Sequence, residues 1–312
     1  MFHTGITFFA EIFLQIKYMW IFFEEYRCYN KHMSITTIQG KRGIVMTVKM
    51  FVSDMDGTLL DSKRQISAVN REKIKQVVED GLIFTVATGR MYRAALPYAQ
   101  QLGIDVPLIT HNGAVIKTVG GERLSINYIE PELVTQVVDF ADELGFYVHL
   151  YTEHDFCYRH STKESEWYED AVNMKGVQVG ENLREHNQGI AKILIMDLSL
   201  QHVQEIMDKF HQRFGDSLQC QNSDPSHVEI MAPGVSKANA VLKLAEMYNI
   251  KPEEIAAIGD SGNDVPMLKL AGTGIVVANA NAVARAAAKY QVAANDDNGV
   301  AEAIDRFFYH AL

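Results

Sequence analysis

The stretch Met50-Phe51-Val52-Ser53-Asp54-Met55-Asp56-Gly57-Thr58 decides how this chain is read. Its first four residues, uncharged and mostly apolar, predict a short buried strand, and two carboxylates follow at once. Gly57 then lets the backbone leave the strand sharply and approach a ligand. In a parallel sheet, ligands bind beyond the carboxyl ends of the strands. Two carboxylates two residues apart in such a turn can face one reacting centre and do different work. One can attack phosphorus; the other can protonate a leaving oxygen and later deprotonate water. An acidic turn without chemistry is the competing reading. A calcium loop is excluded, because Gly57 stands two places early and the twelfth position is Gln65, not Glu.

Outward from this stretch, short apolar runs alternate with helical patterns. Predicted strands lie near residues 50–53, 83–87 and 107–110, with helices over 66–79 and 94–102. The same rhythm returns over 237–289, with strands near 255–259 and 274–278 between helices over 237–248, 265–270 and 282–289. Continuous apolar strands between amphipathic helices predict a parallel sheet covered on both faces. The middle of the chain differs. Hairpin-like alternation near 146–159, 190–196, 217–221 and 228–231, beside helices over 131–144 and 200–214, predicts an α+β unit with antiparallel strands. The fold class expected is therefore α/β: a Rossmann-like, doubly wound core over residues 46–128 and 232–312, split by an inserted α+β domain over 129–231.

Three further segments carry chemistry. Gly259-Asp260-Ser261-Gly262-Asn263-Asp264 follows a predicted buried strand. Asp260 there can bind a hard cation, and Asp264 can support the site from the next helix; a capped acidic helix start is the plainer alternative. Thr88-Gly89-Arg90 ends the second strand, where a hydroxyl and backbone N–H groups suit a phosphate oxygen. Gly234-Val235-Ser236-Lys237 opens a helix that Ser236 can cap. A lysine at a helix start opposes the macrodipole and hints at an anionic partner. His111-Asn112-Gly113 reads first as an Asn-Gly turn, with Asn112 lining the pocket as the alternative. His149, His154 and His160 have no metal-ligand register and are expected at the surface or facing substrate. The Ala-rich run 282–288 is expected to pack in the core.

Composition bounds the function. Among 312 residues, 29 Lys and Arg face 39 Asp and Glu, a net charge of −10. A general nucleic-acid or anionic-membrane binder needs a basic face, so neither is expected. Cys28, Cys157 and Cys220 are widely spaced and fit a reducing cytoplasm. Residues 1–45 form an extension without domain character. Their longest clean apolar run, Tyr18 to Phe23, falls far short of the roughly 20 residues that span a bilayer. An added helix, a weak interfacial anchor and an early start are the three readings. The early start is the one expected, because Lys41-Arg42-Gly43 can be encoded by a purine-rich ribosome-binding run ahead of Met46.

In their order, the four motifs resemble the haloacid dehalogenase superfamily, and the insertion resembles the C2 cap of its Cof-type (IIB) phosphatases. The likeness covers about Thr47 to Leu312. It implies Asp54 as nucleophile and Mg²⁺ ligand, and Asp56 as general acid and base, its carbonyl also on the metal. It implies Asp260 as the second carboxylate ligand, with Ser261 near metal-bound water and Asp264 in support. Met55, Thr88, Gly89, Lys237 and Asn263 would hold the phosphoryl group, with Arg90 and Asn112 supporting. Crowding by carboxylates and phosphate is expected to favour the protonated form of Asp56. The implied activity is Mg²⁺-dependent hydrolysis of a small phosphorylated metabolite such as a sugar phosphate, nucleotide or cofactor. A phosphomutase, a dedicated sugar-phosphate phosphatase and a non-catalytic phospho-ligand sensor stay open as alternatives, as does the oligomeric state.

Overall fold

The computed structural model describes residues 48–309; the readings for residues 1–45 and for Cys28 lie outside them. Five parallel strands form the central sheet: β1 (Met50–Ser53), β2 (Ile83–Val86), β12 (Ile255–Gly259), β13 (Thr273–Val277) and β14 (Tyr290–Val292). Their spatial order is β14-β13-β12-β1-β2. All of β1 and β12 is buried, as their uninterrupted apolar runs require of strands covered on both faces. Phe51 and Phe84 stack across β1 and β2 with ring centroids 5.7 Å apart. Helices α1 (Ala68–Glu79), α2 (Tyr92–Leu102), α6 (Lys237–Met247), α7 (Val265–Leu270), α8 (Ala282–Ala287) and α9 (Gly299–Ile304) accompany this sheet.

The strand order reverses between β1 and β12. At that switch point the connections leave in opposite directions and open a crevice beyond the strand ends. Asp54 stands at the end of β1 and Asp260 at the end of β12, so both acidic motifs arrive at this crevice.

The inserted segment builds a six-stranded sheet, ordered β10-β11-β9-β6-β7-β8. Its strands are β6 (Tyr147–Tyr151), β7 (Phe156–Tyr158), β8 (Val177–Gln178), β9 (Lys192–Met196), β10 (Gln219–Gln221) and β11 (His227–Met231). Every pairing is antiparallel except β7 with β8, which is parallel. Alternation along the strands sorts two faces. Val148, Leu150, Ile193, Ile195, Val228 and Ile230 share a core with residues of α3 (Pro131–Leu144) and α5 (Val203–Phe214). Tyr151, Phe156, Tyr158, Leu194 and Met196 pack on the other face with Tyr168 of α4 (Lys163–Val172) and with Met91 of the core. The sheet therefore turns an aromatic face toward the crevice.

Several expectations need correction. The strand near 107–110 is β3 (Leu108–Thr110), but it pairs antiparallel with β4 (Val115–Lys117), which pairs with β5 (Arg123–Ile126). Neither β4 nor β5 was expected. The Ala-rich helix α8 is mostly exposed, with only Ala284 fully covered, because methyl side chains offer little area to bury. His149 is not at the surface. It is buried against Tyr151 and Tyr168, at 4.8 and 4.6 Å between ring centroids. Burial, reinforced by Lys192, pushes its pKa well below the ordinary histidine range. His154 and His160 are exposed, as expected.

Candidate active site

The site begins with Asp54. Its backbone N–H still bonds to Ile258 of β12, so the sheet itself fixes where the carboxylate emerges. Lys237, the first residue of α6, reaches across and donates to Asp54 Oδ1 at 2.5 Å and to Asp264 Oδ1 at 2.6 Å. Ser236 caps that helix by accepting from Asn239 N–H. The anionic partner that the position of Lys237 hinted at is thus a pair of carboxylates. Burial alone would strip the lysine of its charge. Asp264 and Asp54 outweigh burial and hold its ammonium above the ordinary lysine range.

Asp264 has both oxygens committed. Oδ1 takes Lys237, and Oδ2 accepts the backbone N–H of Asp260 and of Ser261 at 2.9 and 3.1 Å. It therefore fastens the loop that carries Asp260. Asp260 Oδ1 accepts from the Thr58 hydroxyl at 3.0 Å. Gly57 makes that approach possible: its φ is +76°, and a Cβ there would stand 2.8 Å from Asp260 Oδ2. Only glycine meets both demands.

Asp54, Asp260 and Asp264 each place one oxygen within 4.8 Å of the others. Burial pushes Asp54 well above the usual carboxylate range; Lys237 opposes this, while Asp264 and Asp260 add to it. Burial and then Asp264 push Asp260 up to about 6. Three converging carboxylates with one lysine among them carry an excess of negative charge, which is an environment suited to a divalent cation.

Asp56 is not crowded by carboxylates as expected. It makes a bidentate ion pair with Arg90, Nε to Oδ2 at 2.6 Å and Nη2 to Oδ1 at 2.5 Å. The Arg90 side chain is itself almost buried and lies over the Tyr98 ring. Its planar fork matches the carboxylate, a geometry lysine cannot reproduce. The Thr88 hydroxyl accepts the Arg90 backbone N–H at 3.1 Å and so shapes the loop.

Asn112 settles between its two readings. It sits in a turn with φ +56°, and its Oδ1 accepts from Asn263 Nδ2 at 3.1 Å beneath Gly89. It is a turn residue that also braces the site. Ser261 donates its hydroxyl to Asn263 Oδ1 at 2.7 Å.

A cavity of about 350 Å³ joins these residues to the inserted domain. Asp54, Asp56, Thr88, Gly89, Arg90, Asp260, Ser261 and Asn263 line its floor. Its far wall is Trp167, Tyr168, Lys192, Asp224, His227 and Glu229, none of which was singled out from sequence. The signal available was weak: Lys192 and Glu229 are charged residues inside otherwise apolar strands.

A model of the haloacid dehalogenase-like hydrolases matches residues 51–304. The 5-amino-6-(5-phospho-D-ribitylamino)uracil phosphatase YcsE of Bacillus subtilis is 30% identical over 257 residues, 82% of this chain and 94% of the relative. A haloacid dehalogenase-like hydrolase from Bacteroides thetaiotaomicron superposes with a TM-score of 0.74 at 28% identity, over 84% of this chain and 100% of the other. The subclass IIB sugar phosphatase BT4131 has the same fold, with a TM-score of 0.74, 24% identity and coverage of 83% and 99%. A match running from β1 into α9 makes this chain a member of the haloacid dehalogenase-like hydrolases, and its curated relatives are phosphatases.

Proposed function

We propose that the protein hydrolyses small phosphate monoesters in two steps, through a phosphoryl group carried on Asp54, with Mg²⁺ as cofactor. The observation that carries this reading is the buried Asp54 carboxylate at the switch point, with Lys237 on one oxygen and Asp260 beside it. The residues present fit a hard cation. Asp264 is spent on Lys237 and the loop, which leaves Asp54, Asp260 and the Asp56 carbonyl as ligands, with Ser261 near metal-bound water. Mg²⁺ commonly takes one or two carboxylates and fills its other positions with water or phosphate oxygens. When bound, it would neutralise charge on the phosphoryl oxygens.

Lys237 holds Asp54 Oδ1, so Oδ2 is the attacking atom. The bond from Asp54 to phosphorus forms as the ester bond breaks; Asp56, once off Arg90, takes up a proton from solvent and gives it to the leaving oxygen. Water then attacks phosphorus, Asp56 takes back a proton, and inorganic phosphate leaves Asp54. Thr88, Gly89, Asn263 and the backbone N–H of Met55 orient the phosphoryl group. Arg90 lines the same cavity, so a bound phosphoryl group competes with Asp56 for the guanidinium and frees Asp56 to turn toward the ester. Residues 46–128 and 232–312 act as the core, and 129–231 as a cap that excludes bulk water. Among the described residues no helix is long and apolar enough to cross a membrane. We place the activity in the cytoplasm, in keeping with the spacing of the cysteines.

The test is phosphate release from a panel of monoesters, with and without Mg²⁺. The substrate named for the Bacillus subtilis relative goes first on that panel. Asp54→Asn should abolish turnover, and the native protein quenched during turnover should show a mass increase of one phosphoryl group. Turnover by Asp54→Asn at the native rate refutes the proposal.

A further inference from the structure

The loop that would hold the phosphoryl group carries three consecutive carbonyls, and each has a partner. The Thr88 carbonyl accepts from the Asn112 N–H at 2.9 Å and the Arg90 carbonyl from the His111 N–H at 3.0 Å, both within the core. The carbonyl between them, that of Gly89, accepts from Lys192 Nζ at 2.9 Å, and Lys192 belongs to β9 of the inserted domain. The middle of a core loop is therefore held from the other domain.

Lys192 is spent on this task. Its side chain is 2% exposed, its ammonium also donates to Glu229 Oε1 at 2.7 Å, and it lies over the Tyr151 ring at 4.3 Å. The peptide bond passes the contact on. A peptide unit is planar and trans, so fixing the Gly89 carbonyl fixes the Arg90 N–H on the opposite side. That N–H donates to the Thr88 hydroxyl oxygen at 3.1 Å. With its oxygen engaged as an acceptor, the hydroxyl keeps its proton for a further acceptor, and Thr88 lines the cavity with Asp54. A second tie runs in parallel. His111, whose N–H holds the Arg90 carbonyl, points Nε2 at the Thr152 carbonyl of the β6–β7 turn, 3.3 Å away. Burial, reinforced by Lys192, pushes the pKa of His111 down to about 3, so a neutral ring donates there through Nε2.

We propose that Lys192 is a positioning residue for phosphoryl transfer: by holding the Gly89 carbonyl from the inserted domain, it sets the loop Thr88-Gly89-Arg90 to receive a phosphoryl group. The core then binds phosphate well only with the inserted domain docked, and phosphate in turn tightens the docking. Because Lys192 acts on the loop and not on the organic part of the ester, its loss weakens every ester by the same factor. This inference rests on the phosphatase reading and deepens it.

The experiment measures binding of inorganic phosphate with Mg²⁺ by calorimetry, and kcat/KM for p-nitrophenyl, phenyl and n-pentyl phosphate. Lys192→Met alone leaves the Glu229 carboxylate buried without its counter-charge, so it is also made in a Glu229→Gln background, with Glu229→Gln as the reference. In that background Lys192→Met should weaken phosphate binding about tenfold, the worth of one hydrogen bond from a charged donor. It should lower kcat/KM by one common factor for all three esters. An unchanged phosphate affinity overturns the proposal. So does a loss that differs from ester to ester, which would mark a contact with the leaving group. The native protein supplies an arm without variants: inorganic phosphate with Mg²⁺ should slow amide hydrogen exchange in the turn 152–155 as well as in the loop 88–90. Protection of the loop without protection of that turn overturns the proposal whether or not the variants fold. If the native protein turns over none of the three esters, the phosphatase reading fails and takes this inference with it. Native turnover with a phosphate affinity blind to Lys192 overturns this inference alone.

Discussion

Lys237→Met tests whether the buried ammonium holds the site together. Its side chain is fully buried, with Asp54 Oδ1 at 2.5 Å and Asp264 Oδ1 at 2.6 Å. Methionine fills much of the same volume, so the loss is chiefly one of charge. Removing one partner of a buried ion pair costs about 3–5 kcal/mol, because the remaining charge is left uncompensated. For a chain of this size each kcal/mol moves Tm by about 2–4 °C, so melting should fall by roughly 6–20 °C at neutral pH. The pH dependence follows from the two shifts. Lys237 is raised above the ordinary lysine range, so its contribution is fully present from pH 5 to 8 and is lost only at alkaline pH. Asp54 is also raised, which favours the fold when it is protonated and disfavours it as pH rises. Without Lys237 that penalty grows, so the gap between variant and native protein should be widest near pH 7.5 and narrower near pH 5. Thermal melts by circular dichroism across this range read it directly. Phosphate release should fall about 100- to 1,000-fold, the usual loss for one electrostatic group at a reacting centre. A variant that melts with the native protein at pH 7.5, or a gap that does not change with pH, refutes the reasoning.

Three further outcomes are expected. Gly57→Ala places a Cβ 2.8 Å from Asp260 Oδ2 at a φ of +76°, so it should cost about 1–3 kcal/mol in denaturant melts and displace Asp260. Arg90→Lys keeps the charge but loses the bidentate fork, and steady-state kinetics should show kcat/KM lowered about 10- to 100-fold. Asp260 is pushed up to about 6 without metal, and a cation needs it ionised. Mg²⁺ affinity by calorimetry should therefore weaken as pH falls through 6 and level off above it. The metal-free fold moves the opposite way, because a raised carboxylate favours it at the acid side.

The core was legible because its strands are buried on both faces. Runs such as Ile255-Ala256-Ala257-Ile258 contrast sharply with the helices around them, and each acidic motif follows such a run directly. Asp54, Asp260 and Asp264 were found for that reason and Lys237 for its place at a helix start, and the structure brings them together. The partner of Asp56 was not legible. Arg90 stood in a motif already assigned to phosphate, and nothing in its spacing told that its guanidinium would turn onto a carboxylate 34 positions earlier. The cap wall was hidden for another reason. Lys192 and Glu229 are single charges at the start and middle of mostly apolar strands, and a strand pattern does not tell which covered face a charge joins. Only the pairing of β9 with β11 shows that both point into the cavity. His149 was misplaced by the same ambiguity, since an isolated histidine on a strand gives no sign of which face is covered.

The position of β1 between β2 and β12 has a consequence for the order in which the molecule is made. A nascent chain that has emerged only through the cap already contains Asp54, yet the strand carrying it has one neighbour and an open edge. The Lys237 that will neutralise it lies 183 positions downstream. Until β12 arrives, β1 is an apolar template exposed to other chains. Asp54 is thus among the first parts of the sheet to be synthesised, and its surroundings are among the last to be completed.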